Sequence, residues 1–226
     1  MNYIDYGEIL YWSLFAALII AEALVVFKYK LSKKHPARDW IEAGFQAMII
    51  ATFLRLLVIQ SFAIPTGSME NSLMIGDHPM ATKYNYGYYN PFNKKLFLNF
   101  RLPKRGEVVI FRDSEGKMLI KRCMALPGDV IHMKNKTLYI NGKKLVEPYV
   151  VYKDPRVLPY KYGPRDNFGE VKVPEGKIFV MGDNRDYSYD SRFFGFLPVE
   201  RLRGRALLVY WPINRWRIIK HFDLKA

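Results

Sequence analysis

Long apolar runs and short charged stretches alternate through the first quarter of the chain. The run from Ile9 to Phe27 holds nineteen residues with a single charge, Glu22. A second run extends from Trp40 to Val58 and is interrupted by two charged side chains and one amide. At about 1.5 Å of rise per residue, a helix of this length spans roughly 28 Å, close to the hydrocarbon thickness of a bilayer. The pattern therefore predicts two transmembrane helices, at residues 9–27 and 40–58.

Positive charge between the two runs predicts their orientation. Residues 28–39 carry five Lys or Arg residues, whereas residues 1–8 carry none. Because loops rich in Lys and Arg stay in the cytoplasm, we expect loop 28–39 to be cytoplasmic and both 1–8 and 59–226 to be exported. A cleavable signal peptide would need a positive segment at its start, and residues 1–8 do not supply one. The alternative interpretation is a pair of core helices in a soluble protein.

After about residue 60 the helical period gives way to short β-branched and aromatic runs separated by turn residues. The pair Asn141-Gly142 between two such runs is a strong signal for a two-residue hairpin. We expect residues 59–226 to form an antiparallel, partly closed β-fold without a long helix, with a small inserted region at about residues 130–176. The clearest strand candidates are residues 107–111, 118–126, 137–140, 177–181 and 205–211.

The overall charge and the cysteine and histidine content narrow the function. A net charge of +14 favours contact with polyanions, either nucleic acid or an anionic membrane surface. The single cysteine, Cys123, excludes an internal disulfide framework and is expected to be a buried apolar residue. We expect no metal, no cofactor and no histidine base, because no metal-ligand spacing connects the four histidines, His35, His78, His132 and His221.

Three segments carry residue types suited to catalysis. In residues 64–73, a proline and a glycine set a tight turn just before Ser68. In residues 119–129, Lys121 lies inside an apolar run typical of a strand, where desolvation would lower the pKa of its amine. Residues 181–192 form a dense polar loop after an apolar run, typical of a hydrogen-bonded support. Taken singly, each segment is also compatible with an ordinary turn, an amphipathic strand or a polar loop.

Together, in this order and after two apolar runs, the three segments resemble bacterial type I signal peptidases, which use a Ser/Lys dyad. The stretch RGEVVIF at residues 105–111 matches a further sequence box of that family, and FGFLP at residues 194–198 extends the last one. The resemblance covers nearly the whole chain. Relatives in the endoplasmic reticulum use histidine where this chain has Lys121, which favours a bacterial or organelle origin.

The resemblance implies a role for each matched residue. Ser68 would be the nucleophile and Lys121 the general base. Thr66, with the backbone N–H of Ser68, would form the oxyanion hole, and Ser188 would orient the lysine amine. The charged residues behind the site would be Asp183, Asp190 and Arg192. The shallow pockets for small side chains would be lined by Ile64, Pro65, Leu73, Leu119 and Ile120.

The function implied by this resemblance is that of a membrane-anchored serine endopeptidase, which removes signal peptides from exported preproteins after a small-x-small motif. Its partners would be preprotein signal peptides and the lipid bilayer, particularly anionic lipids, and not nucleic acid. It would be a multi-pass protein of the bacterial inner (plasma) membrane, with its catalytic domain on the outer, periplasmic face. The alternatives are a catalytically silent membrane-anchored interaction protein of the same fold, a self-cleaving repressor and a nucleic-acid-binding module.

Two features of the sequence leave the detailed cleavage specificity and the surface contacts of the protein undetermined. Asn71-Ser72 and Leu119 depart from the usual family pattern; we expect them to touch no chemical group of the site but to alter the shape of the pockets. The segment Tyr84–Arg105 mixes aromatic rings with basic residues, among them Lys94 and Lys95. This composition suits a membrane interface, an ordinary protein surface or single-stranded nucleic acid, which an exported domain rarely meets.

Overall fold

The computed structural model describes residues 6–24, 36–54, 58–89, 96–99 and 101–224. The chain divides into two compact units, Met1–Val58 and Ile59–Ala226, of which the second is called the β-domain below. The first unit contains helices α1 (Tyr6–Ala23) and α2 (Pro36–Phe53), and the β-domain contains helix α3 (Ser191–Phe194).

The two N-terminal helices differ from the apolar runs that predicted them. Helix α1 (Tyr6–Ala23) begins before Ile9 and α2 (Pro36–Phe53) begins before Trp40, whereas residues 25–27 and 55–57 of the predicted runs lie outside the described residues. Each helix therefore takes in charged residues near its start. Within the described ranges, no helix combines the length and the apolar character needed to cross a lipid bilayer. The prediction of two transmembrane helices is thus not confirmed.

Helices α1 and α2 pack against each other and leave large apolar side chains exposed. A Cβ atom built on Gly44 would lie 3.6 Å from Leu18 Cδ2, so the two helices approach closely at this point. Ile20, Ile50 and Phe53 nevertheless keep more than half of their surface accessible. The pair of helices therefore covers only part of its own apolar surface.

Three predictions fall partly outside the described residues. They concern the segment 1–8, the loop 28–39 and the segment Tyr84–Arg105. Lys94 and Lys95, the basic residues of the last segment for which a membrane interface was one interpretation, are among the residues not described.

Two side chains of the segment Tyr84–Arg105 are engaged inside the β-domain. Tyr86 is buried, and its hydroxyl donates a hydrogen bond of 2.9 Å to Glu107 Oε2. The Arg101 guanidinium pairs with the same carboxylate, with Nη2 2.9 Å from Oε1. Burial and Glu107 raise the pKa of the Tyr86 hydroxyl above its ordinary value, so Tyr86 stays a neutral donor. These two residues anchor the segment and are not free for a surface partner.

The β-domain is built from strands that pair in antiparallel fashion throughout the described residues, which confirms the predicted mainly antiparallel β-fold. The strands are β1 (Ile59–Ser61), β2 (His78–Thr82), β3 (Gly87–Tyr89), β4 (Leu96–Asn99), β5 (Val108–Arg112), β6 (Met118–Ala125), β7 (Val130–Lys134), β8 (Thr137–Ile140), β9 (Lys143–Lys144), β10 (Phe168–Lys172), β11 (Lys177–Met181), β12 (Leu197–Pro198), β13 (Leu202–Trp211) and β14 (Arg217–Ile218). All five strand candidates of the sequence are present, and the last begins earlier than predicted.

Strand order brings the chemically interesting segments together. The largest sheet has the order β1-β2-β13-β5-β6-β11-β12, with β14 paired to β13. In this sheet Lys121 of β6 faces Val109 of β5, and Arg122 faces Met181 at the end of β11. The loop that follows β11 therefore starts beside the middle of β6. The other strands form a four-stranded sheet, β10-β7-β8-β9, and the pair β3-β4.

The predicted hairpin at Asn141-Gly142 is confirmed. These residues join β8 to β9 with φ angles of 52° and 77°. Both angles are left-handed, as a two-residue turn with the twist of the flanking strands requires. The expectation of no long helix in the β-domain also holds for its described residues, since α3 has four residues.

Three buried apolar clusters form the core of the β-domain. One cluster joins Met69 and Leu73 to Val108 of β5 and Val209 of β13. It therefore holds the segment around Ser68 on the face of the large sheet. Cys123 is fully buried in another cluster, as expected, and burial raises the pKa of its thiol, so it is an inert packing residue.

Candidate active site

Ser68 lies in a short 3₁₀ turn, Gly67–Met69, that follows an extended residue, Thr66 (φ −132°, ψ 152°). Pro65 precedes this stretch, and the buried side chain of Met69 anchors the turn in the core. Because the first N–H groups of a helical turn have no acceptor within the turn, the backbone N–H of Ser68 is available to a ligand. Only 7% of Ser68 is exposed.

The side chain of Lys121 reaches Ser68 from strand β6. Lys121 Nζ lies 2.6 Å from Ser68 Oγ, within a hydrogen bond, and Lys121 is only 3% exposed. Thr66 Oγ1 lies 3.4 Å from Ser68 Oγ on the same turn. The structure thus brings together three of the residues that the sequence singled out, which are separated by up to 55 positions.

Burial changes the acidity of the Lys121 amine. Removal from water lowers the pKa of Lys121 to about 8, because the charged ammonium loses its hydration. The carboxylates of Asp190 and Asp183 act in the opposite direction, and the Arg192 guanidinium adds to the lowering. An amine with this pKa is partly neutral near neutral pH and can accept a proton from a hydroxyl in direct contact.

Asp183 forms a buried ion pair directly behind the site. The guanidinium of Arg122, next to Lys121 in β6, donates to Asp183 from Nε at 2.9 Å and from Nη2 at 2.7 Å. Ser72 Oγ donates to Asp183 Oδ2 at 2.5 Å. Both ions of the pair are fully buried, so the contact joins the Ser68 segment, β6 and the loop after β11 into one rigid unit. The expectation that Ser72 touches no group of the site is therefore wrong.

Asp190 and Arg192 hold the other end of the same loop. The Asp190 carboxylate caps helix α3 by accepting from the backbone N–H of Arg192, and it accepts from Gly182 N–H at 3.0 Å. The Arg192 guanidinium donates to it from Nε and Nη2, both at 2.9 Å. Burial alone would raise the pKa of Asp190, but Arg192 and the hydrogen bonds hold that pKa below its ordinary value, so Asp190 stays ionised.

The loop after β11 also clamps the backbone of the Ser68 turn. Asn184 donates from its backbone N–H to the Ser68 carbonyl at 3.2 Å and from Nδ2 to the Gly67 carbonyl at 3.1 Å. A Cβ atom on Gly182 would overlap both the Ser68 carbonyl oxygen and Ser188 Oγ. The turn and the loop therefore touch at a distance that only glycine allows at position 182.

Ser188 lies beside this contact but is not hydrogen-bonded to the lysine. It is buried, and its side chain packs against Gly182. Within the described residues Ser188 Oγ meets no partner with good hydrogen-bond geometry, and it lies near enough to the Asp190 carboxylate to help lower the pKa of Asp190. The Lys121 amine contacts Ser68 Oγ, and the contact with Ser188 that the resemblance implies is not formed in this structure.

The five residues expected to line pockets are not gathered in one place. Ile64 and Leu73 are buried in the core cluster around Met69, and Ile120 packs against that cluster. Leu119 packs against a different cluster, which contains Cys123. Pro65 is exposed on the surface next to Thr66. Alternation along β6 explains the separation, since successive strand residues point to opposite faces.

Sequence reasoning gave no role to several residues that complete the site. Arg122 and Asn184 were noted only as parts of their segments, and Gly182 only as part of a polar loop. Arg122 offered the same signal as Lys121, a cation inside an apolar strand, since such a charge must find a partner when buried. The contact of Gly182 with the Ser68 turn depends on the fold and carries no local signal.

In the part of the chain that the structure describes, no group of His, Cys, Asp and Glu side chains is arranged to hold a metal ion. His221 is instead used in the fold, where Nδ1 accepts from Val108 N–H at 3.1 Å. Burial lowers the pKa of His221 to about 4, so it stays neutral.

Comparison with known proteins gives consistent matches. Residues 37–211 match the family model described as signal peptidase, peptidase S26. The chain is 34% identical over 206 residues to a probable signal peptidase I-2 of Synechocystis sp., covering 87% of this chain and 84% of that protein. It is 35% identical over 199 residues to a signal peptidase I of Bacillus amyloliquefaciens, covering 85% of this chain and 98% of that protein. A solved signal peptidase I from Enterococcus faecalis matches with 32% identity and a TM-score of 0.39, covering 47% of this chain and 98% of the solved one.

Proposed function

Because the chain belongs to the signal peptidase family, peptidase S26, it is an endopeptidase that removes signal peptides, and we propose that it does so with Ser68 as nucleophile and Lys121 as general base. The observation that carries this proposal is the 2.6 Å contact between Lys121 Nζ and Ser68 Oγ in a buried setting. A catalytically silent member of the family would have no need of this contact. The matched segments and the contact therefore favour an active enzyme.

The first chemical step transfers a proton within the dyad. In its neutral form the Lys121 amine takes the proton of Ser68 Oγ as the oxygen attacks the scissile carbonyl. Lys121 then returns this proton to the leaving amine, and an acyl group remains on Ser68. Water hydrolyses the acyl-enzyme by the same route. Asp183, Asp190 and Arg192 act through the loop that holds the Ser68 turn, as positioning residues that do not touch the substrate.

Two donors beside Ser68 are suited to the oxyanion of the tetrahedral intermediate. They are the backbone N–H of Ser68, at the start of its turn, and the hydroxyl of Thr66, 3.4 Å from Ser68 Oγ. A donor aimed at such a developing charge contributes about 3 kcal/mol of transition-state stabilisation in comparable sites. Thr66 is exposed and can rotate toward a bound carbonyl.

The proposal predicts both the cleavage position and its pH dependence. We expect the purified full chain to cut a preprotein after a small-x-small motif, at a bond identified by mass spectrometry of the two products. Since the lysine acts as a base only when neutral and its pKa is about 8, kcat/KM should rise with pH and then level off. The rise should be about tenfold between pH 7 and pH 9.

The midpoint of this pH profile separates the candidate bases. A histidine base with an ordinary pKa would give a rise centred near pH 6.5 and little change above pH 8. Absence of cleavage with several preproteins at every pH would contradict the assigned activity. A flat pH profile together with correct cleavage would contradict the role of Lys121 as general base and leave the assigned activity in place.

We further propose that the chain is attached to a membrane through residues 1–58 as a multi-pass protein, with the β-domain on the outer face. The apolar runs at residues 9–27 and 40–58 and the basic loop between them support this topology. The β-domain adds an exposed apolar surface at the end of β13 and in β14. Its members, each more than half exposed, are Trp211, Ile213, Trp216 and Ile218. Tryptophans among aliphatic side chains favour the interfacial layer of a bilayer.

The attachment can be measured on the full chain with phospholipid vesicles. We expect the chain to float with the vesicles and to stay with them after an alkaline carbonate wash, since apolar contact is insensitive to charge neutralisation. Anionic lipid should increase the bound fraction at low salt, because the net charge is +14. Complete release by carbonate would refute anchoring within the bilayer and leave only a charge-driven association.

A further inference from the structure

A polar cleft opens beside the Ser68 turn. Its volume is about 350 Å³, and it is lined by Gly67, Glu70, Lys153, Asn184 and Tyr187. Gly67 immediately precedes Ser68, and Asn184 is hydrogen-bonded to the backbone of the same turn. A peptide that presents its scissile bond to Ser68 can therefore continue into this cleft.

The cleft carries one negative and one positive side chain at its wall. Lys153 Nζ lies 2.7 Å from both carboxylate oxygens of Glu70. Asp186 fixes the backbone of Lys153, since its Oδ2 accepts from Lys153 N–H at 2.6 Å. Asn184 Nδ2 lies 3.4 Å from Glu70 Oε2. Both charged side chains remain accessible, at 44% for Lys153 and 39% for Glu70, so a bound peptide can compete for either one.

Exposed apolar side chains also lie near the Ser68 turn, and they are not part of the cleft lining. A Cβ atom on Gly67 would lie 3.3 Å from Glu70 Oε2 and 4.0 Å from Ile75 Cδ1, so a charged and an apolar side chain both approach the residue before Ser68. Ile75 and the neighbouring Met74 are exposed to solvent, at 62% and 48%. The nucleophile therefore lies close both to exposed apolar side chains and to a cleft with charged side chains.

We propose that the polar cleft binds the first residues of the mature chain, on the leaving-group side of the scissile bond, and that Glu70 and Lys153 sense the charge of those residues. This inference rests on the proposed function. A signal peptide is apolar before its cleavage region and so matches the exposed Met74 and Ile75. The mature chain begins with residues of any polarity and so matches the cleft that contains Glu70 and Lys153.

The intact ion pair makes the cleft nearly neutral toward substrates. An acidic residue of the mature chain would be attracted by Lys153 and repelled by Glu70, and a basic residue would experience the reverse. Wild type should therefore cleave both kinds of preprotein with similar efficiency. Removing one charge of the pair should create a preference, because the remaining charge then has no competing partner.

The test compares two preproteins that differ only at the second residue of the mature chain, which is Asp in one and Lys in the other. For each enzyme variant, the ratio of kcat/KM for the Asp preprotein to that for the Lys preprotein is measured. We expect Glu70→Gln to raise this ratio about threefold and Lys153→Gln to lower it about threefold, the size that an exposed ion pair supports. Both shifts should shrink at high salt.

Matched controls are exposed residues outside the cleft lining, Glu175→Gln and Lys172→Gln, which make the same charge changes and should leave the ratio unchanged. A second pair of preproteins carries the Asp or Lys on the signal-peptide side of the cleaved bond. An unchanged ratio in both cleft variants, or equal shifts for charges on the two sides, would overturn the inference. Failure of the proposed function would look different, since wild type would then cleave neither preprotein.

Discussion

Ser68→Ala is expected to lower kcat/KM for preprotein cleavage by more than about 10⁴-fold, since the enzyme loses its nucleophile and no acyl-enzyme can form. Lys121→Met is expected to lower it by about 10³-fold, because the general base is lost while the serine remains. The double variant should be no worse than Ser68→Ala alone, since the two residues act as one unit. Single-turnover cleavage of a purified preprotein by the full chain measures all three.

Methionine is the informative replacement for Lys121 because it separates catalysis from folding. It fills a similar volume with a flexible apolar chain, and Lys121 is only 3% exposed. Since burial of an ammonium is unfavourable, Lys121→Met should keep the melting temperature or raise it. A large loss of activity with an unchanged or higher Tm can then be assigned to chemistry.

The hairpin between β5 and β6 supplies controls of the same residue types. Ser114→Ala and Lys117→Met alter an exposed serine and an exposed lysine in the turn of that hairpin and should leave kcat/KM within about twofold, as surface changes usually do. Activity of Lys121→Met close to wild type would refute the dyad. Substantial activity of Ser68→Ala would show that another residue is the nucleophile.

Much of the β-domain could be predicted because its signals are local. The runs at residues 137–140 and 177–181 became strands β8 and β11 with the expected bounds, since β-branched and aromatic residues between turn signals leave few alternatives. Asn141-Gly142 was equally informative, because both residues adopt left-handed φ angles readily. By contrast, hydropathy alone set the start of each N-terminal helix later than the structure does, because polar and charged residues precede the apolar runs.

The candidate site was predictable only as a set of segments. An apolar strand that contains Lys121 suggests a lysine of lowered pKa, and its pKa of about 8 in the structure agrees with that reasoning. Which residues meet Lys121 depends on strand order, which local patterns do not encode. The pairing of β6 with β11 puts Arg122 opposite Met181 and so brings Asp183 within reach of the guanidinium. The structure also separates Leu119 from Ile120, a consequence of strand alternation that sequence matching overlooked.

Gly182→Ala is expected to lower kcat/KM by about 10²-fold although residue 182 makes no contact with the reacting atoms. The added methyl group would lie 2.6 Å from Ser188 Cβ and would overlap the Ser68 carbonyl oxygen. The Ser68 carbonyl is part of the backbone and cannot rotate away from the new methyl group as a flexible side chain could. The turn that carries Ser68 must therefore shift. A displacement of about 1 Å at a reacting group can reduce the rate by about 10²-fold.

The loss should appear in kcat rather than in substrate binding, because the cleft and the apolar surface beside the turn remain in place. Overpacking of this kind should also cost about 1–3 kcal/mol of stability, so the kinetics must be measured well below the melting temperature of the variant. Gly169→Ala is the matched control, since its Cβ would meet no atom within 4 Å and the change should affect neither property. Gly182→Ala with wild-type kcat would show that the loop after β11 does not set the position of Ser68. A reduced kcat would instead show that this loop holds Ser68 in contact with Lys121. That contact is what allows the buried lysine to act as a base.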